Sequence, residues 1–146
     1  MIIQVDVSAL THWYESVLPA PSASGIDFDI FEIPRHISEQ ECVIKLSKEG
    51  FETSRSGNAF RRDLRDLQNS KLDWVAPFVC IPWKDSKTAV VMPKIKIFSS
   101  LNELSEIKNK VCMELMDAGF IVDDVIQLGR FGNRWVLTDL SSLRRV

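Results

Sequence analysis

Apolar and polar positions recur along this chain in two periods, and these sort it into helices and strands. Ile2 to Val7 is a short apolar run that reads as a strand. Ser8 can cap a helix from Ala9 to Leu18, in which Leu10, Trp13, Tyr14, Val17 and Leu18 share one face before Pro19 stops it. Pro19 to Gly25 is a loop by composition. Ile26-Asp27-Phe28-Asp29-Ile30 alternates strictly, as a half-buried strand does. Phe31 and Ile33 then break the parity, which predicts a bulge or a change of face before Pro34. Cys42 to Leu46 is the next strand, followed by a turn at Lys48-Glu49-Gly50.

Gly57-Asn58 opens a helix over Ala59 to Gln68, with Phe60, Leu64 and Leu67 on its inner side. Trp74 to Trp83 is rich in β-formers but broken by Pro77 and Pro82, so it reads as an edge or bent strand. Lys84 to Lys87 makes a turn, Thr88 to Met92 returns, and Lys94 to Phe98 alternates. Ser100 and Glu103 form a capping-box pattern. The helix behind it carries Leu101, Leu104, Ile107, Val111, Leu115 and Met116 at helical spacing and meets Gly119 where a C-terminal cap belongs. Phe120 to Leu128 and Arg134 to Leu140 read as strands joined through the hairpin connector Gly129 to Asn133. The expected fold class is α+β: a mainly antiparallel sheet of about five to seven strands with three helices packed against it, in one domain over residues 1–146. Leu10, Phe28, Ile44, Phe60, Val90, Val111, Leu115 and Val136 belong to its expected core.

Composition narrows the function classes. A chain of 146 residues, 45% hydrophobic and 26% charged, buries enough surface to fold without metal or disulfide. A formal net charge of −2 supplies no general attraction to nucleic acid or anionic membrane. No apolar run reaches the ~20 residues of a membrane helix. Cys42, Cys80 and Cys112 each sit in an apolar run without a CxxC pair. They read as free thiols in a reducing, cytoplasmic setting, and no metal site is assigned to them. His12 and His36 lie far apart, and the sequence holds no GxSxG, Walker, GxGxxG or HExxH pattern, so no catalytic residue is assigned.

Charge is segregated locally. Residues 27–52 are mostly acidic, whereas 53–71 carry Arg55, Arg61, Arg62, Arg65 and Lys71 against Asp63 and Asp66. One reading is a basic helix face, Arg61, Arg62 and Arg65, for phosphate groups or nucleic acid. The other, favoured by the negative net charge, is a solvated helix laced by pairs such as Arg62 with Asp66. Trp74 and Trp83 flank the proline-broken segment and are candidates for a pocket or an interface. Together these features point to a non-enzymatic module that binds a protein partner or a second copy of itself.

The order of elements also resembles a known family. Glu41-Cys42-Val43-Ile44-Lys45-Leu46 is similar to the third strand of a protein-kinase N-lobe, where a lysine in a V-x-I-K pattern holds nucleotide phosphates. The helix over 58–68 then stands where the kinase αC helix stands. Trp74 to Trp83 and Thr88 to Lys94 resemble the last two N-lobe strands and the hinge, and a long helix follows. Asp124 to Ser141 is similar to the hairpin that leads to the metal-binding aspartate. The resemblance implies ATP and Mg as ligands, with Lys45 at the phosphates, Asp139 matching the metal aspartate and Asp124 near the metal-binding asparagine. The chain departs from the family in lacking a glycine-rich loop before Lys45, a well-placed helix glutamate to pair with Lys45, and an HRD motif. The resemblance therefore implies nucleotide binding without efficient phosphoryl transfer.

Overall fold

The computed structural model describes residues 3–69, 72–98, 103–122, 127–138 and 143–145, with side chains left aside at 97, 98 and 103–105. It bears out the α+β class: three helices accompany a five-stranded sheet and two smaller ones, and every strand pairing described is antiparallel. The chain gathers into two compact units. One holds residues 1–52 and 77–94, the other 53–76 and 95–146.

The first unit opens on α1 (Val7–Val17). Residues 3–6 form no strand, and the cap is Asp6 rather than Ser8: its carboxylate accepts from the Ala9 N–H at 3.1 Å. The helix ends at Leu18, which adopts φ 50° and returns its N–H to the Tyr14 carbonyl. That left-handed turn carries the chain off the apolar face. Leu10 is fully buried and Trp13 and Tyr14 half-buried, but Val17 and Leu18 are exposed, against the helical spacing.

Five strands follow in this unit: β1 (Ala23–Ser24), β2 (Phe28–Glu32), β3 (Cys42–Ser47), β4 (Val79–Ile81) and β5 (Ala89–Pro93). They lie in the order β1-β2-β3-β5-β4, so β3 is the middle strand. The register runs Phe31 to Ile44 to Val91 to Val79, and the next row is Ile30, Lys45, Val90 and Cys80. Alternation sends the first row and its equivalents toward α1, where Leu10 joins Phe31, Ile33, Cys42, Ile44, Leu46, Ile81, Ala89 and Val91. Tyr14 meets Phe31 and Trp83 edge-on at centroid distances of 5.4 and 5.5 Å.

The parity break at Phe31 is not a bulge: β2 pairs β3 without interruption from Phe28 to Glu32. Both faces of the strand are apolar. Phe31 faces α1, while Phe28, on the other side, packs its ring 4.8 Å from Phe51. β5 is likewise buried at all five positions. The Trp74–Trp83 segment pairs only over Val79–Ile81, because Pro77 and Pro82 lack the N–H a ladder needs.

The second unit contains α2 (Arg55–Asn69), α3 (Glu103–Asp117), and the strands β6 (Lys96–Phe98), β7 (Phe120–Val122), β8 (Leu128–Phe131), β9 (Arg134–Leu137) and β10 (Leu143–Arg145). The strands make a three-stranded sheet, β6-β8-β9, and a pair, β7-β10. In α3, Val111 and Leu115 are fully buried, while Met116 of the expected face is exposed. Gly119 follows with φ 90°, the cap conformation its position predicts. The β8–β9 hairpin closes in two residues, Gly132 and Asn133, between the partners Phe131 and Arg134. Gly129 belongs to strand β8 instead of the connector, and the turn glycine is Gly132, at φ 60°.

Candidate functional site

Three groups of residues are singled out by the sequence, and the structure treats them differently. Lys45 stands in the middle of β3 on the face opposite α1, half-buried. Its row neighbours are Ile30 on β2 and Val90 on β5, and Val43 and Met92 on the same face are buried. A lysine set among such residues lays its methylenes along an apolar surface and carries its ammonium beyond it. Ahead of this strand β1 and β2 form a short hairpin, with the Gly25 N–H donating to the Phe28 carbonyl at 2.9 Å and Ile26 almost wholly exposed at the tip. Asp124 and Asp139 lie outside the described residues.

At one end of β3 a polar cluster joins strand to strand. The Glu52 carboxylate accepts from the Ser47 hydroxyl and from the Thr88 N–H at 2.8 Å, and the Ser47 oxygen also accepts from Thr88 at 3.0 Å. Burial pushes the Glu52 carboxyl up, but the hydrogen bonds from Ser47 and Thr88 outweigh it and hold it below its ordinary range. Burial pushes the Cys80 thiol up to about 11, and it raises Cys42 too. Both are therefore protonated at neutral pH and poor nucleophiles. His12 and His36 are exposed, and no group of three metal-ligating side chains occurs among the described residues.

Trp83 is absorbed into the apolar cluster of the first unit. Trp74, in the second, is half-buried and tied down twice: its indole N–H donates to Glu114, and its carbonyl accepts from the Leu137 N–H at 2.9 Å. The Arg134 guanidinium donates to the neighbouring Asp73 carbonyl at 3.1 Å, so this loop is fastened to the β8–β9 hairpin.

The basic segment is rearranged most. The helix α2 begins at Arg55, not at Gly57-Asn58, because the Ser54 hydroxyl accepts from the Gly57 N–H at 2.9 Å and caps it. Gly57, Phe60, Asp63 and Leu67 face inward. Arg55, Asn58, Ala59 and Arg62 then recur at i, i+3, i+4 and i+7, which makes one stripe. Arg61 falls beside that stripe, Arg65 continues it three residues beyond Arg62, and both are exposed.

The stripe lines a cleft of about 650 Å³, together with Ser56 and, from β10, Arg144. Asp63 holds the two elements together. Its buried carboxylate accepts from Arg62 Nε at 2.8 Å and Nη2 at 3.1 Å, and from the Arg145 backbone N–H at 3.0 Å. The Arg62 guanidinium beside it holds the Asp63 carboxyl below its usual range, with the Arg145 amide adding to the effect. Arg62 thus pairs with Asp63 rather than Asp66, which pairs with Arg145 at 3.1 Å. Among the described residues, no carboxylate lines the cleft and Arg55 makes no ion pair. Sequence reasoning missed Arg55 and Arg144. The signal for Arg55 was present, in Ser54 as a cap and in the i, i+3, i+4, i+7 stripe. No family model matches the chain, and no curated protein matches it in sequence.

Proposed function

We propose that the chain is a non-catalytic binding module that takes a nucleotide, ATP with Mg, on the Lys45 face of its five-stranded sheet. The observation that carries the reading is the setting of Lys45: mid-strand, on the middle strand, half-buried in a row with Ile30 and Val90. An apolar row beside a cation suits a ligand with a flat base and a phosphate tail. The order of elements supports the same reading: β3 with its lysine, then α2, then β4 and β5, then α3, then the β8–β9 hairpin. The missing HRD motif favours binding without phosphoryl transfer.

Thermal unfolding with and without ATP and Mg tests this. A ligand at 100 times its Kd stabilises by about 2.7 kcal/mol, so millimolar ATP gives a clear upward shift that Lys45→Met abolishes. No shift, or the same shift in the variant, ends the proposal.

A second reading, self-association, is favoured by exposed Met113 and Met116, one turn apart on α3, and by exposed Ile121 on β7. A monomer by light scattering at micromolar concentration removes it.

A further inference from the structure

We propose that the turn end of the β8–β9 hairpin is a docking surface for single-stranded nucleic acid, with Arg130 and Trp135 as its contact pair. The inference does not rest on the nucleotide reading, which concerns Lys45 in the other unit. Arg130 and Trp135 stand directly opposite each other on β8 and β9, and the Arg130 guanidinium lies over the indole, 4.7 Å from the ring centre. Arg130 is exposed and Trp135 half-buried, and among the described residues Arg130 makes no ion pair. A guanidinium in that place keeps a flat face turned away from the ring, and its N–H groups point outward around the edge. A partner that uses both is flat and carries an anion beside the flat part, which describes an unstacked base with its phosphate. A carboxylate uses the edge alone.

The surface is held in place from behind. The next cross-strand pair, Phe131 and Arg134, lies on the opposite face by alternation, with the Arg134 guanidinium 5.5 Å from the Phe131 ring centre. Both are half-buried, and Arg134 also donates to the Asp73 carbonyl at 3.1 Å, so this side of the hairpin is fastened to the loop that carries Trp74. Gly132 closes the turn at φ 60°. The contact pair is therefore preorganised, which lowers the entropy cost of binding. The net charge of −2 adds no long-range attraction, so binding comes from stacking at short range. A duplex keeps its base faces inside its own stack and offers this pair phosphates only, as an anionic lipid surface does.

Fluorescence anisotropy of the full chain with labelled rA and dA strands of about 12 nucleotides tests the proposal, with the corresponding duplex and phosphatidylserine vesicles as competitors. Binding of either strand, displaced by neither competitor, supports it, and a preference for rA shows that a 2′-hydroxyl is read. Raising salt from about 50 to about 200 mM weakens binding less than about tenfold, as for one or two phosphate contacts. Arg130→Gln weakens binding at least about fivefold, and Arg130→Lys, which keeps the charge without the flat face, nearly as much. Trp135→Leu, which keeps bulk without the indole, weakens it by a similar factor. Arg61→Gln, Arg65→Gln and Lys45→Met leave it unchanged, and backbone circular dichroism confirms that each variant folds. The proposal is overturned if neither strand binds, if duplex or vesicles displace the strand, if Arg130→Lys binds as wild type does, or if Arg61→Gln weakens binding as much as Arg130→Gln.

Discussion

Asp63 is the residue whose removal has the most to say about the second unit. The residue is 6% exposed, and its carboxylate receives three N–H groups, two from Arg62 and one from the backbone of Arg145. These are not equivalent. The Arg62 guanidinium is exposed and rehydrates when its partner is lost, so that half of the arrangement contributes little. The Arg145 amide is part-buried and belongs to β10, and leaving such a donor without an acceptor costs about 1–3 kcal/mol. Asp63→Ala is therefore expected to destabilise by about 2 kcal/mol. Asp66→Ala, which removes only the half-exposed pair with the Arg145 side chain, should cost under about 1 kcal/mol. Urea denaturation measures both. Amide hydrogen exchange localises the loss: about 2 kcal/mol corresponds to roughly 30-fold faster exchange at Arg145. The pH dependence has a definite sign. Because the folded-state pKa of Asp63 is depressed, its stabilisation is present above the unfolded carboxylate value of about 3.9 and is lost as pH falls through the folded value. Wild type and Asp63→Ala should differ by a constant amount near neutrality and converge in acid. Equal costs for Asp63→Ala and Asp66→Ala at pH 7, or an unchanged exchange rate at Arg145, would refute the reasoning.

Two further outcomes follow from close contacts. A methyl added at Gly129 would sit 2.2 Å from Ile95 Cγ2 and 2.8 Å from the Lys96 carbonyl oxygen, so Gly129→Ala should cost about 2–3 kcal/mol in thermal or urea unfolding. Ile95→Ala in the same chain should recover only part of this, since the carbonyl belongs to the adjacent strand and stays in place. Glu52→Gln keeps an acceptor for Thr88 but loses the charge, so it should cost about 1 kcal/mol at pH 7, with the difference fading as acid protonates the wild-type carboxyl. A cost that persists unchanged below the folded pKa would assign the effect to shape, not charge.

The fold was legible where local pattern and final environment agree. The strand β5 is a continuous apolar run buried on both faces, β3 is apolar and buried but for half-buried Lys45 and the buried Ser47 at its end, and Gly119 and Gly132 occupy the positive-φ positions their places in the sequence demand. It was illegible where structure is made by distant partners. The first turn of α2 carries no large apolar residue, so periodicity begins only at Phe60 and the helix start was set too late. The strand β10 is three residues long and exists because Leu143 to Arg145 pair with β7. Arg144 could not be placed near Arg62 from sequence, since the bond that brings their elements together joins residues 82 apart. The parity break at Phe31 misled for a related reason: alternation assumes one wet face, and β2 has apolar partners on both.

The connection from β3 to β5 also bears on how the chain can be made. The middle strand of the five-stranded sheet receives one neighbour, β2, early in the sequence, but its other neighbour arrives only after the whole of 53–76 has been added. During synthesis β3 therefore stands as a bare apolar edge while α2 is emerging, and its closure waits on a long loop. A shortened chain that ends before Ala89 would keep Val43 and Ile44 on a strand with one edge open, a ready template for other chains. Limited proteolysis between α2 and β4 should leave the pieces associated, whereas expression of 1–76 alone should yield aggregate.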